Sequence, residues 1–293
     1  SSRHTDATLI LMEELERAGV TGYVGKVNMD RNSGVAQETT EESIAETLRW
    51  LENCHFDHIK PMLTPRFTPS CTDELMAQLG RLAAERDLPV QSHLSENTGE
   101  IAWVKELHPD CGQYWETYRK YGLWKPGTLM AHCVYSDDRE IRRMKENGVF
   151  IAHCPESNMN VSSGIAPVRK FLEEELHVGL GSDVAGGSTE NLFRAMAHAV
   201  QASKLRWRLL DNSLAPLTAE EVFYLATKGG GKFFGKVGSF EPGYEFDAVV
   251  LDDGRLAHPQ ALDIRSRLER MIYLADEREI RAKYVKGRKI DLS

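Results

Sequence analysis

The sequence predicts an α/β fold in which consecutive βα units lay down a parallel sheet, and three observations carry that expectation. Short β-branched runs alternate with longer amphipathic stretches. Three of those runs end in a residue able to bind a divalent metal. The composition is that of one large globular unit: the 293 residues exceed the roughly 250 that a single barrel uses. With 41% apolar and 27% charged residues and no apolar run of spanning length, the chain reads as soluble, which excludes membrane insertion. A net charge of −8, with Lys and Arg scattered along the chain, excludes a nucleic-acid partner.

The strands read at Gly22 to Met29, His58 to Leu63, Pro89 to His93, Thr128 to His132, Val149 to His153 and Val178 to Ser182. Helical patterns lie between them at Thr40 to Leu51, Thr72 to Arg86 with Thr72 as cap, Asp137 to Asn147 and Thr189 to Leu205. Six βα units result. They fit an open doubly wound sheet or most of an eight-stranded (β/α) barrel, and the count does not separate the two. After Ala226-Thr227 the pattern changes to a glycine run at 229–231, then strand-like pieces at Phe246 to Leu251 and Ala282 to Lys286. The expected organisation is a barrel over 1–235 that lacks its first two strands, and a helix and β segment over 236–293 that belongs partly to a small β domain.

Cys54, Cys71, Cys111, Cys133 and Cys154 are an odd count without CxxC spacing, which argues against a disulfide framework and for a reducing, cytoplasmic location. No secretory signal opens the chain. It begins Ser1-Ser2-Arg3 and passes at once into a helical pattern, the look of a chain joined in mid-fold.

The chemistry lies at the strand ends. Gln91-Ser92-His93, Met130-Ala131-His132 and Gly181-Ser182-Asp183 each close a strand with a metal-ligand residue, and in a parallel barrel those ends converge on one mouth. A lone strand-end His is more often a hydrogen-bonded core residue, and a lone Asp before Gly186-Gly187 a turn residue; the repetition is the signal. Imidazole and carboxylate suit zinc, provided one position stays open for water. Glu96, three residues after His93, is placed to act as general base, although its position also suits the first turn of a helix.

In the order His93, His132, Asp183, these residues resemble the amidohydrolase superfamily. Within it the chain is most similar to the guanine deaminases, through Leu63-Thr64-Pro65-Arg66-Phe67, Gln91-Ser92-His93-Leu94-Ser95-Glu96, Ala152-His153-Cys154-Pro155-Glu156-Ser157-Asn158 and Asp183-Val184-Ala185-Gly186-Gly187. The resemblance implies a (β/α)8 TIM-type barrel, with metal ligands His93, His132 and Asp183 and proton carriers Glu96 and Asp183. It also implies Arg66 on the polar edge of the substrate, Phe67 in the pocket wall, and zinc, one per complete protein chain, or iron. The implied reaction takes guanine and water to xanthine and ammonia in a cytoplasmic homodimer. His153 is expected to support ligands or to pack, and Cys133 and Cys154 to be buried. Two other readings stay open: action on another aminated heterocycle such as a triazine or pterin, and an inactive relative that binds a protein partner.

The sequence departs from the family in one respect. The superfamily opens its barrel with a strand ending in His-x-His, and both histidines bind metal. No such pair occurs here, and Ser1 to Asp6 resembles the family just after its second strand. Either the chain is a segment of a longer product or it is a naturally shortened relative. His55 and His58 form the nearest pair but precede a strand, at the wrong end to replace those ligands.

Overall fold

The computed structural model describes residues 2–291. The chain forms two compact units, Ser1–Phe150 and Ile151–Ser293.

In the first unit the order is α1 (Thr5–Arg17), β1 (Gly22–Val24), β2 (Val27–Asn28), α2 (Thr40–Glu52), β3 (Ile59–Pro61), β4 (Thr64–Pro65), α3 (Asp73–Glu85), β5 (Val90–Leu94), α4 (Thr98–Leu107), α5 (Trp115–Lys120), β6 (Thr128–His132) and α6 (Asp138–Asn147). The pairs β1–β3, β2–β4 and β5–β6 are all parallel, as the βα rhythm requires. The strand expected at 22–29 is broken in the middle, and the one expected at 58–63 ends at Pro61, with a further short strand following at Thr64–Pro65. Gly25 explains the break: a Cβ there would lie 1.9 Å from Thr64 Oγ1, so only glycine lets the two chains cross so closely. His55 and His58 do precede β3. The Glu16 carboxylate accepts hydrogen bonds there from the backbone N–H groups of Asp57, His58 and Ile59.

The helices form for local reasons. Thr72 caps α3 by accepting from the Leu75 N–H, and Leu75, Met76, Leu79, Leu82 and Ala83 then face inward along one side. Val90 and Leu94 of β5 are also fully buried. Gly80 on that side abuts the backbone of α5's far end, where a Cβ would stand 1.7 Å from the Tyr121 carbonyl oxygen. Gly148, in the left-handed region at φ 61°, ends α6.

In the second unit come β7 (Phe150–His153), α7 (Pro155–Asn160), α8 (Val168–Glu173), β8 (His177–Leu180), α9 (Leu192–Leu209), α10 (Ala219–Tyr224), β9 (Ala248–Leu251), α11 (Ile264–Leu274), β10 (Ile280–Val285) and β11 (Arg288–Ile290). The Gly181 N–H donates to the His153 carbonyl across the ends of β7 and β8. The strand-like pieces of the tail form an antiparallel sheet in the order β11-β10-β9. The glycine run continues a helical stretch, Leu225–Gly229, of π type. Among the described residues no helix is long and apolar enough to cross a membrane.

Candidate active site

Strand β5 alternates: Val90, Ser92 and Leu94 are buried in the layer beneath, and Gln91 and His93 point the other way. The register pairs His93 with Ala131 and Leu94 with His132, so alternation alone would put the two histidines on opposite faces. They meet because the chain leaves strand geometry at the end of β6. His132 and Cys133 take φ of 73° and 49°, a left-handed turn that departs from the strand's alternation. The two imidazoles then stack, with centroids 5.2 Å apart and planes 18° from parallel.

Each ring is held by its neighbours. His93 Nδ1 lies 2.5 Å from the Arg66 carbonyl oxygen. That contact fixes Nδ1 as the N–H donor and leaves Nε2 as the lone-pair nitrogen. His132 Nε2 faces Glu96 Oε2 at 3.7 Å. Glu96 lies outside helix α4, because Asn97 is the cap and accepts from the Glu100 N–H; it belongs to the turn after β5. Ser95, at φ 47°, makes that turn, and its hydroxyl donates to the Glu140 carboxyl at 2.7 Å.

Arg66, Phe67, His93 and Glu96 line one cavity of about 300 Å³ together with Asn97, Glu100 and Trp103, at the small end of the range for small-molecule sites. Phe67 stands edge-on to both His93 and Trp103, with centroids 6.3 and 6.2 Å away. The Arg66 guanidinium lies 5.3 Å from the Phe67 ring centre. The last three lining residues were not anticipated from the sequence. Glu100 and Trp103, three residues apart on α4, share one face of that helix.

Burial pushes the Glu100 carboxyl above its ordinary range; the Tyr114 hydroxyl opposes the shift and the neighbouring Glu96 adds to it. Burial pushes Glu140 further, to about 8. The folded state therefore keeps a proton on Glu140 that the unfolded chain releases above about 4.5, so this carboxyl's contribution is full below that pH and is lost as pH rises to about 8. Glu140→Gln keeps an acceptor for Ser95 and removes the titration. Melting temperatures followed from pH 4.5 to 8 should fall less steeply in the variant than in the parent; parallel curves would contradict the assignment.

Asp183 lies in the second unit, just beyond β8, at φ 48°. Ser157 donates to its Oδ2 at 2.5 Å and the Gly187 N–H to its carbonyl at 2.7 Å. Asn160 donates to the Gly186 carbonyl, and Ser188 to Glu156. The Pro155-to-Asn160 helix thus braces the loop that carries Asp183. His153, Cys133 and Cys154 are buried.

The donor set suits zinc in kind: two imidazoles come together and one presents Nε2. It is not complete, since among the described residues no group of three or more His, Cys, Asp and Glu is gathered to hold a metal. A catalytic zinc site takes three protein ligands.

The profile of the Amidohydrolase family matches residues 2–290. The chain belongs to that family. This amidohydrolase is 41% identical to the guanine deaminase of Mus musculus over 98% of its length. It is 39% identical to that of Dictyostelium discoideum, again over 98%. It spans 66% of the length of both relatives. The crystal structure of guanine deaminase from C. acetobutylicum with bound guanine in the active site is 47% identical with a TM-score of 0.94, covering 99% of this chain and 70% of that one. The amidohydrolase α/β barrel fold expected from the sequence is therefore borne out.

Proposed function

We propose that this amidohydrolase converts guanine and water to xanthine and ammonia. The observation that carries the reading is the single cavity in which Arg66, Phe67, His93 and Glu96 converge, in a chain 47% identical to a guanine deaminase solved with guanine bound. Arg66 offers fixed guanidinium donors to the carbonyl and ring nitrogen of the purine, and Phe67 supplies an aromatic edge beside it. A water attacks the carbon bearing the amino group. Glu96 takes its proton and delivers it to a ring nitrogen, forming a tetrahedral intermediate. Asp183 passes the remaining hydroxyl proton to the amine, which leaves as ammonia.

His93, His132 and Asp183 are the residues of this chain that would hold the metal, zinc or alternatively iron, one per chain in the complete protein. Such an ion, when bound, lowers the pKa of a water ligand to about 7. The barrel at 1–235 with a C-terminal segment at 236–293, a cytoplasmic location and a homodimer belong to the same proposal. The test is incubation of the metal-supplemented protein with guanine, following xanthine and ammonia together. Equimolar appearance of both supports the reading; ammonia from a triazine or pterin but not from guanine would replace it.

A further inference from the structure

Three tethers converge on the turn that carries Glu96. The Ser95 hydroxyl is held by Glu140, and the Tyr135 N–H donates to the Ser95 carbonyl at 2.9 Å. The Glu96 N–H itself donates to Glu100 Oε2 at 3.2 Å. The other oxygen of that carboxyl, Oε1, accepts from the Tyr114 hydroxyl at 2.6 Å. Glu100 and Tyr114 are 6% and 4% exposed, so the link runs through a medium where hydrogen bonds are strong and unmade ones costly.

The link continues. Tyr114 stacks on Tyr118, one helical turn further on, with centroids 5.9 Å apart and planes at 15°. The Tyr118 hydroxyl donates to the His93 carbonyl at 2.8 Å. One short helix end thus reaches both the strand-end histidine and the turn bearing the carboxylate.

We propose that Glu100 and Tyr114 are positioning residues for Glu96: the tyrosine orients the Glu100 carboxyl, whose second oxygen fixes the Glu96 backbone and so the reach of its side chain toward the reacting atoms. The proposal rests on the reading of Glu96 as the proton carrier. A carboxylate that must touch both a water and a ring nitrogen tolerates little displacement, because misplacement by about 1 Å costs on the order of 100-fold in rate.

Tyr114→Phe removes one hydroxyl and keeps the stacked ring. It should lower kcat by about 10-fold while KM for guanine changes less than about 2-fold. Glu100→Met should do at least as much, since a thioether of similar length offers no oxygen to either the Tyr114 hydroxyl or the Glu96 N–H; it also serves if Tyr114→Phe does not fold. The deciding measurement places each change in a Glu96→Gln background. A positioning role predicts no further loss there, because the group being positioned is already gone. An unchanged kcat in the single variants, or the same fold loss in both backgrounds as a merely structural role would give, overturns the proposal. No xanthine from the parent protein, or full activity in Glu96→Gln alone, overturns the reading of Glu96 itself and is seen before any change at Glu100 or Tyr114.

Discussion

Glu96→Gln is expected to lower kcat on guanine by about 10²- to 10⁴-fold, the usual contribution of a positioned general acid–base group, with little change in KM. The substitution is nearly isosteric, and the backbone contacts of the turn survive it, so the cavity keeps its shape. What is lost is a group able to take a proton from water and return it to the ring. The side chain faces the His132 Nε2 at 3.7 Å and lines the same cavity as Arg66 and Phe67, where the proposed reaction puts both the attacking water and the ring nitrogen. Steady-state kinetics with matched metal content check the prediction. A KM that rises while kcat holds would make Glu96 a binding residue instead.

Arg66→Ala should act on the other parameter. Losing charge-assisted hydrogen bonds to the purine edge costs about 1.5–3 kcal/mol, so KM should rise roughly 10- to 150-fold with kcat changed much less. Arg66→Lys should recover only part of this, since an ammonium is a point charge without the planar fork. The backbone of Arg66 acts separately from its side chain, because its carbonyl accepts from His93 Nδ1. That bond does not depend on the guanidinium, so neither variant should reduce zinc binding. A loss of zinc from Arg66→Ala would show that the guanidinium supports the fold of the site and not the substrate.

How far the site could be read from the chain differs residue by residue. His93 was legible because β5 is regular and its alternation points the ring away from the buried layer. His132 was legible as a strand-end residue, but not the way it reaches its partner: a left-handed turn at His132 and Cys133 overrides the register, and no residue type there announces it. Glu96 had two readings until Asn97 proved to be the helix cap. Glu100 and Trp103 were missed because a helix that faces a polar cavity shows the same charged and aromatic mixture as one that faces solvent. The break in the first strand and the early end of the second were not announced by the residues there; the close approach of Gly25 to Thr64 explains them. The parallel pairs followed from the βα rhythm, and a β region in the tail from its loss after residue 227; the antiparallel order of that tail sheet and its third strand came only with the structure.

The proposed step on which the other predictions rest is hydrolytic loss of the exocyclic amino group in the cavity formed by Arg66, Phe67, His93 and Glu96. Its most direct measurement uses guanine labelled with nitrogen-15 only at that amino group, in water enriched in oxygen-18, with product masses read after a single incubation. The expected products are labelled ammonia and xanthine carrying one heavy oxygen at the carbon that held the amine. Ammonia without the label, or label retained in the purine product, would contradict hydrolysis at that carbon.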